Sequence, residues 1–411
     1  MKKYLLYIIN TSVKVYRSII NTEVQINRLN RLFWFLTAII IRPFVRVKKN
    51  RIFCWTYSNK KFSDSPRAIT EYILNNNSED YCIYWGFDKN VDTSSLDERI
   101  HVVRKYNFTY ILALYSSRFV FNNCRNNIFD SLFIKKQSQK YIQTWHGSFA
   151  LKQIEKDAIE KLSKKYIRQA KFDSKMCDLM LSNSKSYSDL IKNAFWYNGQ
   201  ILERCVPRND IFYDEQSIKK IYTNIRKRMR FAENCKIVLY APTFRTDMSL
   251  KYYAINWNNV IPALQKMFGN DIKILVRLHP NMASIKGVER LIDFNNVYNI
   301  TSAPDITEFL LASDVMISDY TSAMFDFILL NRPCFIYTVD KDDYDRGFYW
   351  DLNHLPFSIA ENNEELIKNI ANFDNPEYQN RIASFKKYKW QLDEDGKSCD
   401  RLLKWMNTIN G

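Results

Sequence analysis

The stretch from Ile317 to Tyr337 contains an apolar strand end, a run of hydroxyl side chains, an apolar helix and a second strand. A strand-to-helix junction leaves backbone N–H groups unpaired and carries partial positive charge, so it suits a phosphate. The hydroxyls at this junction belong to Ser318, Tyr320, Thr321 and Ser322. The same residues also suit an ordinary helix cap, and on their own they favour that interpretation.

Two of the four histidines in the chain follow predicted strands. His146, in QTWHGS, has a side chain that can take a proton from an attacking hydroxyl, although a purely structural histidine is equally compatible with its position. His279, in RLHPN, comes two residues after Arg277, so both side chains lie on one face of a strand. A guanidinium repels cations and binds phosphate oxygens in pairs, which favours a phosphate site over a metal site there.

Other charged residues lie near the same strand ends. Arg245, in APTFR, is interpreted as either a phosphate clamp or a surface arginine. Asp319 and Asp326 flank the hydroxyl run, where a carboxylate can hold ribose hydroxyls. The four aspartates between 340 and 345 are interpreted as a solvated loop. We therefore predict neither a metal site nor a resident cofactor.

The elements that position these residues repeat one pattern. From residue 51 onward, short apolar runs alternate with helix-like stretches, which is typical of a parallel sheet covered on both faces. The predicted strands are 52–56, 81–85, 100–103, 119–121, 141–144, 179–181, 201–205, 237–241, 272–278, 297–301, 315–318 and 334–338. Ligands of parallel sheets bind at the carboxyl ends of the strands, which is where the candidate residues stand.

This pattern predicts an α/β protein of two Rossmann-like lobes facing a cleft. We place the first lobe at 51–206, the second at 207–375, and a C-terminal helical segment that can return to the first lobe at 376–411. A chain of 411 residues with 46% hydrophobic content can bury two large cores. With eight glycines and no glycine-rich motif, the chain has no phosphate loop of that kind. The eight cysteines are scattered and are interpreted as reduced thiols.

The net charge of +16 is concentrated in an N-terminal arm at 1–50. The first 51 residues contain eleven Lys or Arg and one acid. Apolar residues from Leu5 to Ile20 fall at helical spacing, and Leu32 to Ile41 is a second apolar run. Both runs are too short to span a bilayer, so we predict attachment to an anionic membrane surface, with a helix packed on the body as the alternative. No recognition motif supports nucleic-acid binding.

Six motifs in order resemble the CDP-glycerol glycerophosphotransferases, the teichoic acid primases and polymerases. They are WHGS at 145–148, PRND at 207–210, APTFR at 241–245, RLHP at 277–280, SDYTSAMFDFILLNRP at 318–333 and YDRGFYWD at 344–351. The resemblance implies a glycosyltransferase-B-like fold. It implies that His146 is the general base, and that Arg277, His279 and the hydroxyl run hold the donor phosphates.

What the resemblance implies about function is transfer of glycerol phosphate from a CDP-activated donor to a hydroxyl of a lipid-linked or polymeric acceptor. It also implies a peripheral protein at the cytoplasmic face of a bacterial cell membrane. CDP-ribitol remains an alternative donor. Two other functions stay open: a glycosyltransferase that uses a nucleotide sugar for capsule or cell-wall polymer, and a catalytically silent protein that binds membrane and polymer. The sequence does not indicate an oligomeric state.

Overall fold

Two parallel β-sheets, each with helices on both faces, form the two lobes of the computed structural model. The structure describes residues 27–410 apart from 77–79, 246, 248, 270, 280, 281, 283, 284, 304 and 342–346. The amphipathic helix predicted between Leu5 and Ile20 lies outside the described residues. The predicted fold class, with its two facing lobes, is confirmed.

The first lobe is built on a seven-stranded sheet of order β3-β2-β1-β4-β5-β6-β7. All of its neighbouring strands pair in parallel. Its strands are β1 (Lys48–Trp55), β2 (Cys82–Phe87), β3 (His101–Arg104), β4 (Ser117–Asn122), β5 (Lys140–Gln143), β6 (Leu179–Leu181) and β7 (Gln200–Leu202). Its helices are α1 (27–41), α2 (Asp64–Asn76), α3 (Phe108–Ser116), α4 (Ile128–Ser131), α5 (Lys164–Met176) and α6 (Lys185–Ala194).

The second lobe has a six-stranded parallel sheet of order β10-β9-β8-β11-β12-β13. Its strands are β8 (Lys236–Tyr240), β9 (Ile272–Val276), β10 (Val297–Asn299), β11 (Val315–Ser318), β12 (Cys334–Tyr337) and β13 (Ser358–Ala360). The remaining helices are α7 (Glu215–Met229), α8 (Trp257–Phe268), α9 (Thr307–Ala312), α10 (Ala323–Phe327), α11 (Asn363–Ala371), α12 (Asn375–Ser384) and α13 (Ser398–Asn410).

Burial explains why these strands read as continuous apolar runs. All four residues of β11 and of β12 are buried, as expected for central parallel strands covered on both faces. Helix starts supply their own caps: the side chains of Ser163, Ser184 and Asp214 accept backbone N–H groups of α5, α6 and α7. Each sheet lies between two apolar cores, one on each of its faces.

The chain crosses between the lobes twice. Residues 203–214 lead from β7 to α7, and the last helix, α13, returns to the first lobe. Leu402 and Met406 of α13 are fully buried in the core beside β1 and β2, and the Tyr81 hydroxyl donates to Asn407 Oδ1 at 2.7 Å. The two crossings join the lobes on one side and leave the strand ends facing each other.

The structure confirms all twelve predicted strands, with ends shifted by a few residues, and adds β13. Helices α5 and α6 were missed. The apolar helix predicted within Ile317 to Tyr337 is a short α10 followed by a 3-10 turn, and the helical segment predicted at 376–411 contains most of α12, a π-helical turn and α13. Among the described residues, no helix is long and apolar enough to cross a membrane.

The packing of α13 gives a stability prediction. Leu402→Ala removes a fully buried side chain and should lower the free energy of unfolding by about 3 kcal/mol. Leu29→Ala makes the same change at a side chain that is 65% exposed and should cost less than about 0.5 kcal/mol. Urea denaturation followed by tryptophan fluorescence measures both. Equal losses in the two variants would contradict the docking of α13.

Candidate active site

A cavity of about 1100 Å³ lies between the carboxyl ends of the two sheets. Its walls come from the segments that follow β1 and β5 in the first lobe and β8, β9, β11 and β12 in the second. Parallel sheets direct loops and ligands to this edge. The candidate residues that line this cavity are His146, Arg245, Arg277, His279, Tyr320, Thr321, Ser322 and Asp326.

His146 is held in one orientation by backbone. Its Nδ1 atom lies 2.8 Å from the Asn123 carbonyl oxygen, which can only accept a hydrogen bond. Nδ1 therefore carries the proton, and Nε2 is the basic atom of the neutral ring. The preceding residue, Trp145, has a left-handed backbone at φ 53°, and its indole stacks on the imidazole with ring centroids 4.6 Å apart. This geometry suits a general base.

The environment of His146 favours the neutral ring. Burial lowers its pKa, opposed by the Asn123 carbonyl and by the negative charge of Asp64. The ring keeps a solvent-exposed edge while it lines the cavity. Near pH 7 His146 is thus unprotonated at Nε2 and able to accept a proton from a bound hydroxyl.

Three basic side chains gather in the cavity from both lobes. Lys61 comes from the turn after β1, and Arg277 and His279 follow β9. Burial lowers the pKa of all three, and the neighbouring positive charges lower those of Lys61 and His279 further. Asp305 partly offsets this for Lys61 and Arg277. Like charges held this close make a site for a polyanion such as a diphosphate.

A buried arginine in the wall of the cavity bridges the lobes. Arg208, from the first crossing between lobes, places Nη1 3.2 Å from Asp64 of the first lobe and Nη2 3.0 Å from Asp326 of the second. Ser148 donates to the same Asp326 carboxylate at 2.5 Å. Because the Arg208 side chain is only 10% exposed, these contacts are shielded from bulk water.

The chain matches the family described as CDP-glycerol:poly(glycerophosphate) glycerophosphotransferase over residues 36–407. It belongs to this family. The family predicted from the six sequence motifs is therefore confirmed.

Known relatives differ in how much of their own length this chain covers. A teichoic acid poly(glycerol phosphate) polymerase of Staphylococcus epidermidis is 31% identical over 357 residues, which are 82% of this chain and 48% of that protein. A teichoic acid glycerol-phosphate transferase of Staphylococcus aureus is 30% identical over 369 residues, 86% of this chain and 92% of that protein. The chain thus spans about half of the polymerase and nearly all of the transferase.

Solved structures agree with the fold. The wall teichoic acid polymerase TagF is similar with a TM-score of 0.77 and 28% identity, over 98% of each chain. A histidine-to-asparagine variant of TagF, soaked with CDPG, has a TM-score of 0.77 and 26% identity, over 93% of each chain.

Ser318 of the hydroxyl run and its neighbour Asp319 do not line the cavity. Ser318 is fully buried, outside the cavity lining, and its hydroxyl donates to the Ala241 carbonyl at 2.5 Å. Asp319 is 2% exposed and accepts from the backbone N–H and the hydroxyl of Thr243. Neither side chain is placed to contact phosphate or ribose, because each points back into the protein.

Arg245 and Tyr320 belong to a buried ionic network. Arg245 Nε lies 2.5 Å from Asp340, and Arg245 Nη1 lies 2.9 Å from Asp319. The Tyr320 hydroxyl donates to Asp340 at 3.1 Å. The Arg245 charge is therefore already balanced by two carboxylates, which corrects its interpretation as a phosphate clamp. Asp340, interpreted from sequence as part of a solvated loop, is only 6% exposed.

Thr321 and Ser322 keep positions that suit a donor phosphate. Both are half-buried and line the cavity at the start of α10. The Thr321 hydroxyl accepts from the Ala323 N–H at 3.3 Å, while the Ser322 side chain forms no cap. A Cβ built on Gly147 would stand 3.9 Å from Ser322 Oγ, so the hydroxyl run faces the His146 loop. Asp326 also lines the cavity, but its carboxylate is bound to Arg208 and Ser148, which argues against a ribose contact.

Sequence reasoning did not single out Lys61, Asp64 and Arg208, which line the cavity. Lys61 lies in the turn between β1 and α2, and Asp64 is the first residue of α2, where no motif marked them. Arg208 stands in PRND, a motif that carried the family resemblance and was assigned no role. Its position in the crossing between lobes was the available signal. Among the residues that the structure describes, no group of three or more His, Cys, Asp or Glu is arranged to hold a metal ion.

The Arg245 network gives a prediction that separates structural from ligand-binding roles. Arg245→Ala leaves Asp319 and Asp340 buried without their partner and should destabilise the protein by about 3 to 5 kcal/mol. Arg204→Ala breaks two exposed ion pairs and should cost about 1 kcal/mol or less. Thermal unfolding compares the variants. An Arg245→Ala protein of unchanged stability but weakened donor binding would restore the phosphate-clamp interpretation.

Proposed function

We propose that this chain transfers glycerol phosphate from CDP-glycerol to a hydroxyl at the end of a teichoic acid acceptor. One observation carries the proposal: His146, fixed with Nε2 as its basic atom, shares a cavity with Lys61, Arg277 and His279. The family supports the donor, and the relatives named above support a glycerol phosphate polymer as acceptor.

In this mechanism His146 acts on the acceptor. Nε2 takes the proton of the acceptor hydroxyl as its oxygen attacks the phosphorus that carries glycerol. The bond from that phosphorus to the bridging oxygen breaks, CMP leaves, and the proton remains on His146. The donor must lie with its leaving oxygen opposite the attacking hydroxyl, and such positioning supplies most of the catalysis in phosphoryl transfer.

The cationic group acts on the donor. Lys61 and Arg277 neutralise the diphosphate and the negative charge that develops on CMP. His279 is predominantly neutral in the free protein because burial and Lys61 lower its pKa. A bound diphosphate would raise that pKa and favour the protonated ring. The hydroxyls of Thr321 and Ser322 complete the donor site from the side that faces Gly147.

The acceptor of such an enzyme is a polymer or a lipid-linked primer, which fits a peripheral position at the cytoplasmic face of the membrane. Helix α1 supports this part of the proposal. It packs inward through Ala38 and exposes apolar side chains on its other face. The exposed apolar residues of α1 and the adjoining turn are Leu29, Leu32, Phe33, Leu36, Ile40 and Phe44. An apolar face followed by Arg46, Lys48 and Lys49 suits an anionic bilayer surface.

The test of the catalytic proposal replaces His146. His146→Gln should reduce kcat by about 100- to 10,000-fold and leave CDP-glycerol binding, measured by calorimetry, unchanged. His354→Gln changes an exposed histidine outside the cavity lining and should keep full activity. In wild type, kcat/KM should fall as the pH drops through the His146 pKa of the free protein, which burial holds below its usual value, because the base must be unprotonated.

Nucleotide release identifies the donor in the same assay. CMP should appear with CDP-glycerol and an acceptor polymer. Release of UDP from a UDP-sugar, with none of CMP, would instead establish the glycosyltransferase alternative. Absence of release from CDP-glycerol, CDP-ribitol and UDP-sugars would favour a silent binding protein.

Membrane attachment is tested on α1. Phe33→Ser with Phe44→Ser removes side chains that are 58% and 85% exposed, and should weaken binding to phosphatidylglycerol vesicles at least about tenfold. Tyr388→Ser removes a 65% exposed aromatic on the second lobe and should leave vesicle binding unchanged. Vesicle sedimentation measures both. Undiminished binding by the double variant would contradict the role of α1.

A further inference from the structure

His146 lies in a closed ring of contacts that passes through both lobes. On one side the ring runs from His146 to Asn123 and Asp64. On the other it runs along the chain from His146 to Ser148 and then to Asp326. Arg208 joins the two acids and closes the ring.

The first half of the ring fixes the tautomer of His146. The Asn123 carbonyl accepts from Nδ1 at 2.8 Å, and the Asn123 side-chain amide donates to Asp64 Oδ2 at 3.0 Å. Asp64 has a left-handed backbone at φ 65° and also accepts from the Ser65 N–H at 2.7 Å and the Tyr57 hydroxyl at 3.1 Å. The buried Asp64 carboxylate thus holds Asn123, and the carbonyl of Asn123 orients His146.

The second half of the ring fixes the loop that carries His146. Ser148 is fully buried, and its hydroxyl donates to Asp326 Oδ1 at 2.5 Å. Asp326 belongs to α10 of the second lobe. The position of the histidine loop therefore depends on where the second lobe sits.

Arg208 completes both halves with a single side chain. Its Nη1 donates to Asp64 at 3.2 Å, and its Nη2 donates to both oxygens of Asp326 at 3.1 and 3.0 Å. A planar guanidinium can hold two carboxylates at once, whereas a lysine ammonium is a compact point charge. The side chain comes from the crossing between the lobes, outside both sheets.

We infer that Arg208 is the positioning residue of the general base, which joins Asp64 to Asp326 so that His146 is aligned only when the two lobes are closed. This inference rests on the proposed function, in which His146 takes the acceptor proton. Arg208 bonds Asp64 and Asp326 and therefore acts on the base through the ring. Its loss should therefore affect kcat more than substrate binding.

The charges around His146 give this role a distinctive signature. The negative charges of Asp64 and Glu155 raise the His146 pKa, and the positive charge of Arg208 lowers it. The Cys124 thiol, 3.9 Å from Nδ1, is neutral because burial raises its pKa. Removing Arg208 should raise the His146 pKa, and removing the charge of Asp64 should lower it. A general loss of stability would not shift the two variants in opposite directions.

Histidine NMR measures these changes in the His146 pKa without substrate. The chain has only four histidines, so the spectrum is simple enough to assign. In ¹⁵N-histidine protein, with His146→Gln to assign the signal, wild-type His146 should show the Nδ1–H tautomer. Arg208→Gln should move its titration to higher pH, and Asp64→Asn to lower pH. Ser148→Ala removes one hydrogen bond and no charge, so it should broaden or mix the tautomer signal with a smaller pKa change. Arg204→Gln, at an exposed arginine, should match wild type.

Kinetics completes the experiment. Arg208→Gln and Ser148→Ala should lower kcat by about tenfold to a hundredfold with KM for CDP-glycerol within about threefold of wild type. Arg208→Lys should recover part of the loss in kcat. Unmoved titration and tautomer in Asp64→Asn and Ser148→Ala would overturn the inference, even if Arg208→Gln fails to fold. A further outcome is that His146→Gln stays active while Arg208→Gln and Asp64→Asn still shift the titration of His146. The proposed catalytic role of His146 would then be wrong, and the positioning of His146 by the ring would still hold.

Discussion

The ion bridge from Arg208 to Asp64 and Asp326 ties the two lobes together in the wall of the cavity. Removing charged groups from water costs several kcal/mol per ion, and attraction offsets this only when the remaining donors and acceptors are satisfied. Here Asn123, Tyr57 and the Ser65 N–H satisfy Asp64, and Ser148 satisfies Asp326. Separating the lobes at this point breaks several of these contacts together. The position of the loop that carries His146 and the closure of the lobes therefore depend on the same bridge.

The cavity beside the bridge has the opposite electrostatic character. Arg208 has its counter-charges within hydrogen-bond distance. In the cavity, by contrast, the charge of Arg277 lowers the pKa of Lys61, and the charge of Lys61 lowers the pKa of His279. Two rigid sheets hold these cations in place before any anion arrives, so little reorganisation is needed when a diphosphate binds. Because Lys61 belongs to the first lobe and the other two to the second, an anion bound among them also favours the closed arrangement.

Much of this architecture could be predicted from the sequence, because parallel strands that are buried on both faces appear in it as continuous apolar runs. That signal located β11 and β12 within one residue and placed His146 and His279 just after strands. It failed for α5, whose buried positions include Asp173 and Ser174, so that its inward face does not look apolar. The polar residues there satisfy Arg125, a long-range partner that local periodicity does not reveal.

The site residues were predicted less well than the strands for a related reason. A polar side chain after a strand can face the cleft or turn back to satisfy a neighbouring loop, and the sequence is the same in both cases. Thr321 faces the cavity, whereas Ser318 bonds the Ala241 carbonyl. The carboxylate partner of Arg245, Asp340, lies 95 residues away in sequence, so the sequence did not reveal that this charge is balanced within the protein. Long-range pairing, which decides between ligand and protein partners, is the information that a single sequence lacks.

Strand order explains why the two lobes use their loops differently. In both sheets the order in which strands are added reverses between the first strand and the fourth, β1 and β4 in one and β8 and β11 in the other, and a crevice opens at each of these points. In the first lobe the crevice holds the contact from Asp64 through Asn123 to His146. In the second, Asp319 and Arg245 fill the equivalent crevice with a buried ion pair, and the cations that face the cavity come from β9 instead. One topology thus anchors a base in one lobe and an anion site in the other, and Arg208 fixes the distance between them.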